Sequence, residues 1–235
     1  MNSVLPTLTR TVQAQFKTGD SSKTQKIIQY CFDFLVVCGL PMVVGTVILA
    51  YHLTFAVSSP KFLSRLTEGF YGSDVALQIL IFALFFSYIN TLLGFVLIAF
   101  RKQNYLVWVS GAAVLLSLAL NIFSIPKYGL RGAGVTSVVA ELGMMILLYI
   151  ITHRFLDYKI NFKIGGRALF SALTMGVVLW LTRDVLYRAI GGSSLFLVLP
   201  LGVLVYVTTM YLVGGITKEM WQMIKAKKTP ADSSL

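Results

Sequence analysis

The sequence predicts an all-α, polytopic membrane fold of about six spanning helices, and three observations carry that expectation. Hydrophobic residues make up 57% of the 235-residue sequence and charged residues only 12%, a balance foreign to water-soluble domains of this size. Several apolar runs reach the roughly 20 residues that an α-helix needs to cross a hydrocarbon core. Lys and Arg stand between those runs rather than inside them, as they do in membrane proteins.

Taken in order, residues 1–30 read as an amphipathic cytoplasmic lead-in, because Leu5, Leu8, Val12 and Phe16 recur at helical spacing among Thr, Gln, Arg and Lys. A disordered lead-in fits the same residues. No cleavable signal is expected, since charged and polar groups occur throughout the residues up to Lys26, so insertion is expected to use the first span. The apolar runs bounded by charge, Gly or Pro place spans at 31–52, 76–100, 105–125, 132–152, 168–186 and 195–214, making 31–215 one six-helix bundle. Short connections, above all 101–104, predict antiparallel neighbours. Residues 216–235 form a basic cytoplasmic tail whose start is expected to rest on anionic lipid.

Charge sets the orientation. The side of the amino terminus collects Arg10, Lys17, Lys23, Lys26, Arg101, Lys102, Arg154, Lys159, Lys163, Arg167 and the Lys residues from Lys218 onward. The other side holds only Lys61, Arg65, Lys127, Arg131, Arg183 and Arg188. Cytoplasmic loops carry the positive excess, which predicts a multi-pass protein of the cell (plasma or inner) membrane with both termini in the cytoplasm. The net charge of +11 does not point to nucleic acid, because the basic residues form no aromatic-interleaved patch.

Polar residues inside the spans are the candidates for function. Glu141 falls mid-way along the fourth span, where a charge costs about 2.5–3.5 kcal/mol on insertion scales, and Gly134 and Ser137 precede it on one helical stripe. It reads either as a proton, ion or substrate contact or as a neutral glutamic acid bonded to a neighbouring helix. Amides occupy similar stripes in the second span (Ala83, Ser87, Asn90, Gly94) and the third (Ser110, Ser117, Asn121, Ser124), so these two helices are expected to face each other. Asn90 and Asn121 are candidate pathway residues, with interhelical hydrogen bonding as the plainer role. Asp33 sits near a span end, within reach of headgroups. Pro41, flanked by Gly39 and Gly45, marks either a hinge or a static packing kink. Ala168, Ala172 and Gly176 repeat at a packing interval.

The sequence shows no constellation of catalytic or metal-binding residues. His52 and His153 fall on opposite predicted sides, and Cys31 and Cys38, seven residues apart on one helix, lie roughly 10.5 Å apart along its axis, too far for a disulfide. No zinc-type cluster, phosphate-cradling loop or nucleophile elbow is present. No metal, no cofactor and no enzymatic activity are expected.

The segment Leu120, Asn121, Ile122, Phe123, Ser124, Ile125, Pro126, Lys127, Tyr128, Gly129, Leu130, Arg131, Gly132, Ala133, Gly134 resembles the Leu-Asn, Ile-Pro, Tyr-Gly, Gly-Ala run of Wzx-type polysaccharide flippases, within the multidrug/oligosaccharidyl-lipid/polysaccharide exporter superfamily. A tight helical hairpin explains part of it: Pro126 ends one helix, Gly129 turns, and Gly132 and Gly134 permit close packing. Leu5, Pro6, Thr7, Leu8, Thr9 and Arg10 are similar to the family's Pro-x-Leu-Ser/Thr-Arg stretch, and Pro41 is similar too. The resemblance covers nearly the whole chain but only the carboxy-terminal lobe of such a transporter, with Met1 where a preceding helix would be finishing. It implies alternating access by two bundles, translocation of a lipid-linked sugar between leaflets, ion coupling, and a partner in a missing amino-terminal lobe or a second copy. Arg131 and Lys127 are candidates for the substrate pyrophosphate by charge, with interfacial anchoring as the alternative. Competing expectations are a drug or metabolite exporter of the same superfamily, a non-transporting subunit of a glycan-assembly complex, and an intramembrane glycan-processing enzyme using Glu68 or Asp74.

Overall fold

A computed structural model describes residues 21–58, 63–64, 72–156, 161–190 and 195–215. They form five helices: α1 Ser21–Val57, α2 Ser73–Ala99, α3 Gln103–Leu156, α4 Lys163–Ile190 and α5 Leu195–Leu212. No strand occurs among the described residues, and each of the five helices is long and apolar enough to cross a membrane. Residues 1–20 of the expected 1–30 lead-in, the tail beyond residue 215 and Glu68 lie outside the described residues, and residues 21–30 of that lead-in run on into the first span as part of α1.

The third and fourth predicted spans follow one another within α3, with only Gly129 between them. α3 has 54 residues; straight, it would extend about 80 Å, far more than the ~30 Å hydrocarbon core. It is not straight, because Gly129 alone takes non-helical angles, φ 56° and ψ −134°, a region that glycine enters and other residues enter only under strain. The chain doubles back there. Thr136 Oγ1 donates to Asn121 Oδ1 across the turn at 2.5 Å, and at the far end the Tyr105 and Phe155 rings lie 5.4 Å apart. α3 is therefore a helical hairpin with a first arm, 103–128, and a second, 130–156. Gly132 lets the arms close, since a Cβ there would collide with the Ser124 carbonyl. Helical bonding resumes on both sides of a single glycine, so the loop expected from Pro126 onward shrinks to one residue.

α1 is the central helix and packs against α2, α4 and α5. On one side Phe32 and Val36 join Leu92, Leu93 and Leu97 of α2 and Val109 and Leu148 from the two arms of α3. On the other, Leu49 joins Ala172, Met175 and Leu179 of α4 with Val198 and Tyr206 of α5. The small side chains Ala168 and Ala172 are fully buried, the expected effect of a small-residue stripe on helix approach.

Neighbouring helices also grip the backbone of α1. Gln78 of α2 donates to the Val47 carbonyl at 2.9 Å, and Arg183 of α4 donates to the Ile48 carbonyl at 3.0 Å. Tyr206 Oη of α5 donates to the Val37 carbonyl at 2.7 Å. Val37 lies four residues before Pro41, and proline has no N–H to give it. The tyrosine thus supplies the hydrogen bond that the proline removes, which fits a fixed packing feature in a helix that continues through Pro41.

The exterior is apolar. Trp108 is 79% exposed, Phe123 72% and Phe196 84%, and exposed apolar surface on this scale exceeds what a water-soluble monomer carries.

Candidate functional site: a carboxylate and an amide at an apolar cleft

In α2 the stripe Ala83, Asn90 and Gly94 is buried, and Gly94 gives room to Leu106 of the first arm of α3. The second arm comes close through its own Gly134, against Ile79, and Asn90 meets Glu141. Its Nδ2 donates both to the main-chain oxygen of Glu141 at 2.9 Å and to carboxylate Oε2 at 2.7 Å. Two acceptors on one side of the amide fix which way it points. The opposite atom, Asn90 Oδ1, is buried without a hydrogen-bond partner, which in an apolar interior is a cost unless another donor arrives.

Glu141 also lines an open cleft of about 380 Å³ whose other walls are Leu77, Leu80, Ile81, Ala83, Leu84 and Ser87 of α2. Its chemistry is simple: an aliphatic surface with one hydroxyl and one carboxylate. No Lys or Arg lines it. Such a cleft suits an amphiphile with a long apolar part and a donor or cationic group.

α2 and the first arm of α3 pack together as expected, sharing an apolar cluster through Leu92, Leu93 and Val109 with Gly94 against Leu106, but the two amides bond elsewhere. Each finds its partner on the second arm of α3, Asn90 on Glu141 and Asn121 on Thr136. Thr136 and Glu141 are five residues apart, about 140° around a helix, so one arm serves both neighbours. Asn121 is an interarm contact that also donates to Ser117 Oγ at 3.3 Å, and it does not line the cleft.

The remaining family-motif residues cluster at the hairpin turn. Lys127 and Tyr128 are exposed there. Arg131 is half-buried and stands ten residues from Glu141 along the arm, roughly 15 Å. Neither Lys127 nor Arg131 reaches the cleft. Pro126 continues within the helix, and the Ala133 carbonyl accepts from the Ser137 hydroxyl at 2.9 Å. These residues build the turn and its packing.

Two acids are occupied elsewhere. Asp33 is buried and accepts from Gln29 at 2.8 Å; Gln29 in turn clamps the Asn161 main chain through its carbonyl and N–H. Asp74 accepts from Ser64 N at 3.0 Å and Ser64 Oγ at 2.6 Å, tying Ser64 to the first turn of α2. Among the described residues no group of three or more His, Cys, Asp or Glu is arranged to hold a metal.

Comparison with protein-family models and with curated proteins yields no match. What the fold itself defines is a helical bundle with the signature of a multi-pass membrane protein. The residues that sequence reasoning missed are Thr136, Gln78 and Tyr206. Pro41 announced a carbonyl at Val37 in need of a donor, but the identity of that donor depends on how α5 packs.

Proposed function

We propose that this chain is one lobe of a membrane transporter that moves lipid-linked polysaccharide precursors across the bilayer by alternating access, its pathway completed by an amino-terminal lobe or a second copy. One observation carries the reading: Glu141, in the middle of an apolar helix, opens onto a cleft instead of being enclosed by packing. A carboxylate at that depth costs about 2.5–3.5 kcal/mol if it faces lipid, so its cleft is better matched to protein, water or substrate. The resemblance of residues 120–134 to flippases supports the substrate class. In this arrangement both termini are cytoplasmic and Asn90 holds Glu141 in place.

The test is Glu141→Gln, which keeps the shape and still accepts from Asn90, in a complementation assay for sugar-lipid translocation. Normal membrane abundance with lost translocation is the expected result. Full translocation by a well-folded variant makes Glu141 a packing residue and removes the pathway assignment.

One observation favours a second reading, export of drugs or metabolites. The cleft offers a carboxylate and no basic side chain, better suited to a cationic amphiphile than to a pyrophosphate. Saturable binding of tetraphenylphosphonium that Glu141→Gln abolishes, with no binding of a polyprenyl-pyrophosphate sugar, would select this alternative.

A further inference from the structure

The open end of the α3 hairpin concentrates positive charge. Arg101 and Lys102 lie in the junction between α2 and α3, and Arg154 lies near the end of the second arm, next to Phe155. Contact across the mouth is direct: Lys102 Nζ lies 4.9 Å over the Phe155 ring, and that ring lies 5.4 Å from Tyr105. Arg101, Lys102 and Arg154 are all exposed. The hydrogen bond between Gln29 and Asn161 brings the starts of α1 and α4 to the same end, adding exposed Lys26 and Lys163. The described acid there, Asp33, is buried and bonded to Gln29, so it does not offset the exposed cations.

Moving along the first arm, the surface changes character in a fixed order. After the cations come the exposed rings of Tyr105 and Trp108. Beyond them Gly111 and Ala112 are exposed, with nothing packed over Gly111, and Leu115 is exposed on the far side. Two small residues between Trp108 and Leu115 leave a shallow notch. Cations, amphipathic rings and an apolar notch follow the order of phosphate, glycerol region and acyl chain in a phospholipid leaflet.

We propose that the mouth of the α3 hairpin binds an anionic phospholipid, its headgroup phosphate on Arg101, Lys102 and Arg154 and an acyl chain in the notch between Trp108 and Leu115. This rests on the reading that the helices cross a bilayer and not on any transported substrate. Zwitterionic lipids carry the phosphate too, but their own ammonium group competes with the protein cations, so the site selects net negative charge. Each basic residue near a membrane surface contributes about fivefold in affinity, and three contribute about a hundredfold.

The experiment uses the full chain in neutral detergent, with dioleoylphosphatidylglycerol or dioleoylphosphatidylcholine added. Retained lipid is counted by native mass spectrometry, and thermal unfolding is followed in parallel. Phosphatidylglycerol should be retained and should raise the unfolding temperature, and phosphatidylcholine should do neither. The Arg101→Gln/Lys102→Gln/Arg154→Gln variant should bind phosphatidylglycerol about a hundredfold more weakly, while Lys127→Gln at the opposite end of the hairpin binds as before. If the triple variant does not fold, Arg154→Gln alone, at an exposed position, should lose about fivefold. Equal retention of the two lipids, or undiminished phosphatidylglycerol binding by the folded variants, overturns the proposal. Glu141→Gln should keep the lipid whether or not it transports, which separates this outcome from the fate of the transport reading.

Discussion

Tyr206→Phe removes one oxygen atom and tests how a proline is accommodated in the central helix. Pro41 cannot donate to the Val37 carbonyl, and Tyr206 Oη does so from α5 at 2.7 Å. The tyrosine is 6% exposed, so water does not readily replace the lost hydroxyl. Stranding a buried acceptor costs about 1–3 kcal/mol, whereas hydrogen bonds between membrane helices average about 0.6 kcal/mol with a maximum near 1.7. Because the helix has already given up its own donor here, the cost should fall near the upper membrane value, about 1.5 kcal/mol. Pro41→Ala restores the N–H, and in that background Tyr206→Phe should cost about 0.5 kcal/mol or less, leaving a coupling of about 1 kcal/mol in a double-mutant cycle. Reversible unfolding of the four proteins in bicelles, driven by added dodecyl sulfate, measures each term. Additivity within about 0.3 kcal/mol would refute the reasoning, since it would mean that the Val37 carbonyl does not depend on the tyrosine.

Three further perturbations follow from the same contacts. Gly129→Ala forces a side chain onto φ 56° and should destabilise by about 1–3 kcal/mol, while Gly111→Ala, in open space, should change stability by less than about 0.5 kcal/mol; thermal unfolding of the two variants side by side checks this. Asn90→Leu strips Glu141 of its donor and should cost about 2 kcal/mol, and Asn90→Leu/Glu141→Leu should recover most of it because an apolar pair leaves no unpaired charge. A double variant no more stable than Asn90→Leu would show that the cost lies in packing. Asp74→Ala removes the acceptor for both Ser64 groups and should cost about 1 kcal/mol or more, with faster proteolysis of the segment ahead of α2 as the readout.

The apolar runs were legible because a bilayer imposes length and composition on each helix separately, so the helices could be placed one at a time. The turn between the arms of α3 was legible as a turn from Gly129 and Gly132, but its extent was not. Pro126 suggests that a helix stops, yet proline interrupts only one hydrogen bond, and the helix continues to the glycine. Partner choice was the least legible feature. The stripes carrying Asn90 and Asn121 each showed a polar residue in need of a neighbour, and pairing them with each other was the simplest solution. The second arm, presenting Thr136 and Glu141 on faces about 140° apart, satisfies both, and only the three-dimensional course of the hairpin reveals that. Glu141 itself stood out in the sequence because a mid-span acid is costly; its cleft arises from the packing of α2.

The grip on α1 bears on how the bundle moves. Side chains from α2, α4 and α5 each end on an α1 carbonyl, and α1 contributes to both apolar clusters. Sliding any one of these helices along α1 breaks a hydrogen bond in a medium with few replacements and opens packed clusters at the same time. Under the transport reading, the change of access should therefore come from displacement of the whole bundle against a second body, not from a hinge at Pro41 within it. The position of Glu141 agrees with this, since its cleft is open at the surface of α2 and α3 instead of lying on the axis of α1. A cross-link that fixes α1 to α5 should then leave transport intact, while one that fixes the α2 face at Leu80 or Leu84 to the second body should stop it.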